Sequence, residues 1–311
     1  MLKGTLYALA ACFLWGLIFV VPTLMQGFDP IEIALGRHSV YGIISVLFLL
    51  FSYKKFAHYS LKNWFRALVF ALVISIFYYS CVVTGVSCAS PALTALILGM
   101  SPIVISFYGN WLEKECHFKD LIVPTLLILV GLLLVNIPTL QDQQDKPFYW
   151  YGALSAFGAL LAWSWYVVAN ARFLKRNPQV NPNEWTTMIG VGTFCWVVSL
   201  GTLYEIWQGG ANWQKFIISS EFLHHYIFGC LVLGILCSWI GAYLWNNASM
   251  LLPVSLAGQL TIFETLFGLL FFYILDQKMP PYLEILGTLL MVSGVMYSLR
   301  TSTASSNVAI E

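Results

Sequence analysis

Ten stretches of the chain are each apolar over about 20 residues, the length an α-helix needs to cross a hydrocarbon core of about 30 Å. They fall at 4–25, 30–52, 65–86, 91–112, 121–138, 149–171, 186–206, 226–247, 253–275 and 281–299. In lipid every backbone polar group must be satisfied internally, so runs of this length in this number define an all-α polytopic membrane protein. Composition agrees: only 9% of the 311 residues are charged and 59% are hydrophobic. A net charge of +1 gives no electrostatic hold on a polyanion, so nucleic acid is not an expected partner. The seven cysteines include no C-x-x-C, and five lie inside apolar runs. They read as small hydrophobes, with neither a disulfide frame nor a metal site. The first run lacks a small-residue cleavage site at its end, so it reads as a span and not a signal peptide.

Ten spans place both termini on one side. If that side is the cytoplasm, eleven Lys and Arg fall inside: Lys3, Lys54, Lys55, Lys62, Arg66, Lys114, Lys119, Arg172, Lys175, Arg176 and Arg300. The outer loops then hold only Lys146, Lys215 and Lys278. The positive-inside rule therefore expects cytoplasmic termini in a plasma or bacterial inner membrane. The longest linker runs from about Trp207 to His225, and the small polar tail 301–311 is expected to be a disordered cytoplasmic extension.

The chain also repeats itself. GTLYALAACFLWG (4–16) and GALSAFGALLAWS (152–164) share five of thirteen positions, including Trp15 and Trp163. PTLLILVG (124–131) and GTLLMVSG (287–294) share four of eight at an offset of 163. Asp29-Pro30-Ile31-Glu32 echoes Asn181-Pro182-Asn183-Glu184. The matches keep their order, so five spans align with five spans, dividing the chain into 1–140 and 141–300. Five is odd, so the second repeat enters from the opposite face and is inverted. Inverted repeats are a common transporter architecture, in which one pattern read from both faces builds two opposite open states.

These residues resemble the drug/metabolite transporter superfamily in its ten-span EamA-type form. The resemblance covers about residues 4–299. It rests on Trp15-Gly16, Pro30 followed by Arg37, Ser101-Pro102, Glu115, Gly131, the tract YLWNNASMLLPVSLAGQLTIFET (243–265), Gly287 and Gly294. Two departures stand out. Thr265 follows Glu264 where the family pattern has a proline, and Gln277-Lys278 replaces a Gly-Glu. The likeness implies a basket of ten helices around a central cavity lined by spans 1, 3, 4, 6, 8 and 9. Similarity to bacterial amino-acid and metabolite exporters implies secondary active efflux by alternating access, with no cofactor, and a monomer or homodimer.

Polar groups inside the spans are the candidate site. Glu264 lies about 16 Å into its span, near the bilayer midplane, where a carboxylate costs several kcal/mol unless protonated, paired or wet. It is a candidate for proton coupling or for a substrate ammonium; the alternative is a neutral Glu hydrogen-bonded to irregular backbone. Arg37, about 10 Å deep, is a second coupling candidate able to hold a carboxylate; the alternatives are a bond to Glu32 or a carbonyl, or snorkelling. His38 beside it reads as packing. Trp15, Tyr78, Tyr79, Trp163 and Trp239 sit mid-span, away from the interfacial belts, and suit an aromatic, aliphatic or cationic solute. Ser101, Gln259 and Thr261 add hydrogen-bonding groups, whereas Asn246 and Asn247 lie too near the cytoplasmic end to touch substrate. Pro102 removes an N–H mid-span and is a candidate hinge. No P-loop, H-E-x-x-H or G-x-S-x-G is present, and no cluster of nucleophiles supports an intramembrane enzyme. Within transport, the alternative substrates are cationic drugs or quaternary amines, with Glu264 as counter-charge.

Overall fold

The computed structural model describes residues 1–25, 27–140, 148–207 and 220–308. Among them are ten helices long and apolar enough to cross a membrane. They are α1 (Leu2–Leu24), α2 (Pro30–Phe51), α3 (Leu61–Cys88), α4 (Leu93–Glu113), α5 (Phe118–Asn136), α6 (Tyr149–Arg176), α7 (Pro182–Tyr204), α8 (Leu223–Leu251), α9 (Val254–Asp276) and α10 (Tyr282–Arg300). Large apolar side chains are exposed around the outside, among them Leu154 at 69% and Leu203 at 60%. A surface of that kind is compatible with lipid and not with water.

The helix starts follow from local chemistry. Asp29 and Glu32 form a reciprocal capping box at α2, with Pro30 at the first helical position. Ser60 accepts from the Asn63 N–H at the start of α3, and Ser90 from the Leu93 N–H at 3.1 Å at the start of α4. Helices α3, α6 and α8 extend past the apolar runs, to 28, 28 and 29 residues, because helix continues into flanking polar residues that hydropathy excludes. The final helix likewise continues to Val308, where the sequence suggested a disordered tail. Residues 301–308 contain no Gly or Pro to end it. Residues 309–311 lie outside the described residues, as do Lys146 and Lys215.

Two spans are broken. α4 consists of α4a (Pro91–Gly99) and α4b (Ser101–Glu113), and Pro102 occupies the first turn of α4b. The break thus precedes the proline, because its ring cannot coexist with the carbonyl four residues back. α9 consists of α9a (Val254–Leu260) and α9b (Ile262–Asp276), joined at Thr261. No proline follows Glu264 there. The Glu264 N–H instead bonds the Thr261 carbonyl at 3.0 Å, and the Cys12 thiol donates to the Leu260 carbonyl at 3.4 Å. α3 and α8 each contain a π-helical segment, Leu72–Phe77 and Val232–Ile240.

An offset of 163 relates the boundaries of these irregularities. The π segments end at Phe77 and Ile240, the broken spans start at Pro91 and Val254, and they end at Glu113 and Asp276. The next residue in each case, Lys114 or Gln277, is left-handed, with φ of 51° and 52°. The packing is reciprocal as well. α5 runs along α10, α2 along α7, α1 along the second half of α8, and α6 along the second half of α3. A Cβ on Gly131 would lie 2.5 Å from the Gly287 carbonyl oxygen, and a Cβ on Gly287 would lie 2.5 Å from that of Gly131. One on Gly294 would meet the Pro124 carbonyl at 2.8 Å. Position 131 is the mate of 294 and 124 the mate of 287, so the contacts exchange under a pseudo-two-fold axis. The fold is two five-helix repeats of inverted sense, closely joined at Gly131 and Gly287, where neither repeat carries a side chain.

Candidate functional site

The site lies where the two broken and two π-containing spans face α1, α2 and α6. Trp15 closes the end of the regular part of α1. Its Nε1–H donates to the Cys237 carbonyl at 2.9 Å, a group that the π turn of α8 leaves available. Its ring meets Trp163 edge-on at 5.5 Å and Trp245 at 5.2 Å. Trp163 continues the wall to Tyr78 at 5.8 Å and Tyr166 at 6.0 Å. Gly241 permits this packing, since a Cβ there would lie 2.6 Å from the Trp15 Nε1.

Glu264 sits in the first turn of α9b, where the helix dipole favours a carboxylate. It is half-buried, and its carboxylate forms no hydrogen bond or ion pair among the described residues. Its electrostatic neighbours are Arg37, Tyr78, Cys12 and Cys237. Arg37 donates from Nε to the Ser238 Oγ at 2.8 Å, and Ser238 donates to the Leu233 carbonyl at 2.9 Å. One edge of the guanidinium is thus fixed on the α8 π turn, and its remaining N–H groups have no hydrogen-bond partner among the described residues. Glu32 is engaged elsewhere, accepting from the Asp29 N–H at 2.7 Å. Tyr78 is electrostatically coupled to both Arg37 and Glu264.

The remaining candidates divide. Tyr79 donates to the Pro30 carbonyl at 3.0 Å and contacts His38 edge-on, beside Arg37. Ser101 is buried at the start of α4b and is the 163-offset mate of Glu264. Gln259 is 1% exposed, and both ends of its amide lack a partner. Trp239 lies apart from the Trp15 cluster. It stacks on Phe48 at 4.8 Å and on Tyr243, and Phe48 is 42% exposed. Thr261 donates to the Gly258 carbonyl at 2.6 Å and secures the α9 break. Asn247 donates to the Tyr243 carbonyl. Asn246 belongs to a buried chain in which Trp185 donates to Asn170, Asn170 to Asn246 and Asn246 to Thr186, all at 2.7–2.8 Å. Both asparagines thus have structural bonds. Cys12, Ser238, Cys237 and Trp245 complete the cluster and were not among the sequence candidates. Trp245 was legible as a tryptophan in the quoted tract; the others signal nothing in sequence.

The end of the molecule that carries Glu115 is held by charge. Glu113 pairs with Arg172 and, at 3.5 Å, with Arg176. Glu115 accepts from the Val254 N–H at 2.6 Å, the Ser255 N–H at 2.9 Å and the Ser255 Oγ at 2.8 Å, and Lys175 lies 3.3 Å away. Nearby, Tyr59 donates to Glu184 at 2.6 Å; burial and that bond push its phenol up to about 12.

A basket of ten spans in two inverted halves, with midspan helix breaks beside a half-buried acid and a half-buried base, defines the class: an integral multi-pass membrane protein with a transporter fold. Residues 2–137 match the model of the EamA-like transporter family. The chain is 32% identical over 310 residues to the inner membrane protein YtfF of Escherichia coli K12, covering 96% of each. It is also 32% identical over 116 residues to an uncharacterized transporter of Haemophilus influenzae, covering 37% of this chain and 56% of that one. A solved crystal structure superposes with a TM-score of 0.75 at 19% identity, covering 97% of this chain and 98% of that one. The chain belongs to the EamA-like transporter family of the drug/metabolite transporter superfamily.

Proposed function

We propose that this protein is a secondary active exporter of a small zwitterionic metabolite, an amino acid or a close relative, working by alternating access. The observation that carries the reading is the pair of opposite charges within electrostatic reach of each other: the unpaired Glu264 carboxylate, and the Arg37 guanidinium with one edge fixed and the other unfilled. An ammonium suits the first and a carboxylate the second. The Trp15–Trp163–Tyr78 wall suits the apolar part of such a solute. Pro102 and Thr261 mark the hinges, Ser101 and Gln259 are further solute contacts, and the repeats divide at 140/141. The Lys and Arg bias supports cytoplasmic termini. Membership of a transporter family argues against an enzyme.

A quaternary amine or cationic drug is the second reading, favoured by aromatic rings around a single carboxylate. Flux into and out of proteoliposomes decides between them, with amino acids and quaternary amines each offered with and without a pH gradient. On the zwitterion reading, Glu264→Gln and Arg37→Gln each lower amino-acid flux by at least tenfold. Flux of amines alone, lost in Glu264→Gln and kept in Arg37→Gln, would replace that reading with the cationic one. Wild-type flux that ignores the pH gradient would remove Glu264 as a proton carrier.

A further inference from the structure

The two ends of the basket are built from the same pattern but closed by different chemistry. On the Glu115 end, α4b and α9a are in tight contact. A Cβ on Gly109 would lie 2.6 Å from the Val254 Cγ1, and one on Gly258 3.0 Å from the Ser106 N. Ser106 donates to the Ser255 carbonyl at 2.9 Å. Glu115 spans the joint, taking three donors from the start of α9 and an ammonium from α6. A carboxylate accepting the first free N–H groups of a helix satisfies donors that would otherwise be orphaned.

The 163 offset gives the counterpart at the other end. Glu115 maps to Lys278, Val254 to Pro91 and Ser255 to Ala92. The acceptor has become an ammonium, which cannot accept. Of the three donors, Pro91 has no N–H and Ala92 no hydroxyl, so only the Ala92 N–H remains. Lys278 is 73% exposed and pairs with Asp276 at 2.9 Å on its own turn. Ser90 supplies its own cap to α4a. α4a and α9b do not pack as their mates α4b and α9a do.

We propose that Glu115 is a gating residue whose repeat mate has been disarmed, so the two gates are unequal. The Glu115 gate is latched by a charge-assisted cap. The opposite gate closes on packing alone, and the empty transporter rests open at the Lys278 end. Bound solute must supply the interactions that close that end. This inference rests on the alternating-access reading above.

The test uses pairs of nitroxide labels carried on a genetically encoded keto amino acid, so that all seven cysteines stay native, in reconstituted full-length protein. One pair, at positions 117 and 251, spans the Glu115 end; the other, at 150 and 279, spans the Lys278 end. All four side chains are exposed. Wild type should show a short, narrow distance at the first pair and a long one at the second. Glu115→Ala should lengthen the first distance, lowering the closed-to-open ratio about tenfold or more. Glu115→Asp should restore it in part. The double variant Pro91→Ala, Lys278→Glu rebuilds the missing cap on an exposed surface, and should create a short population at the second pair. An unmoved first pair in Glu115→Ala, or an unmoved second pair in the double variant, overturns the latch. If wild-type protein transports while neither pair responds to saturating solute, alternating access fails and the latch with it. Wild-type distances that move while both variants behave as wild type overturn the latch alone.

Discussion

At the scale of single residues, position along a helix explains more than residue type. Glu264 and Glu284 are both glutamates in apolar spans, yet Glu284 accepts a 2.5 Å hydrogen bond from Tyr273 and Glu264 has no such partner. Both lie in a first helical turn, Glu284 at the end of its span where Tyr273 reaches it, whereas the break at Thr261 gives Glu264 that position in mid-span beside Cys12 and Arg37. Trp15 gives a prediction at this scale. Its ring touches two tryptophans and its N–H fills a carbonyl freed by the α8 π turn. Trp15→Phe keeps much of the packing and orphans only the Cys237 carbonyl, at a cost of about 1–3 kcal/mol. Trp15→Ala also opens a cavity and should cost about 3–5 kcal/mol. Thermal unfolding in one detergent, alongside flux scaled to folded protein, measures both; equal stability of the two variants would show that the ring packing contributes little. The acid, the base and the central aromatics were readable from the sequence because depth in an apolar run is a count of residues. Trp239 reads like Trp15 on that count. Its ring stacks on Phe48, apart from the Trp15 cluster, because depth does not encode which way a helix faces. Cys12 and Ser238 were invisible for a different reason: their importance comes from backbone groups that a helix break or a π turn releases, and no hydropathy pattern records a missing hydrogen bond.

At the scale of elements, span number and order follow from hydropathy, and the internal register needed the structure. Sequence similarity displayed the 163 offset only in α5 and α10. Helix boundaries extend it back to the π segments and to the left-handed pair Lys114 and Gln277. Side chains in lipid-facing positions drift, whereas a break or a turn is fixed by geometry. The α5–α10 joint is the element-level prediction. A methyl at Gly131 must displace the Gly287 carbonyl, which is backbone and cannot rotate away. Gly131→Ala should therefore destabilise by about 1–3 kcal/mol. Gly158→Ala, where the nearest atom is the Cys81 Sγ at 3.5 Å, should be near neutral. Melting temperatures of the two variants compare directly. Equal values would mean that α5 and α10 can separate without cost.

At the scale of the whole molecule, the proposed orientation has a direct check. Cysteines placed at Lys54 and Lys62 should resist an impermeant maleimide added to intact cells, and one at Met279 should react. Labelling of position 54 or 62 from outside would reverse the topology and exchange the sides assigned to the two gates. The reciprocity of Gly131 with Gly287, and of Pro124 with Gly294, carries a further consequence. In a two-chain assembly such a contact would be an isologous subunit interface, self-complementary under a two-fold axis. Here it lies within one polypeptide, so the covalent link holds each half at its partner's side at high effective concentration. A symmetric dimer must change both copies of an interface at once. A fused chain can alter one copy and leave its mate alone, and Lys278 opposite Glu115 is a change that a symmetric dimer could not carry.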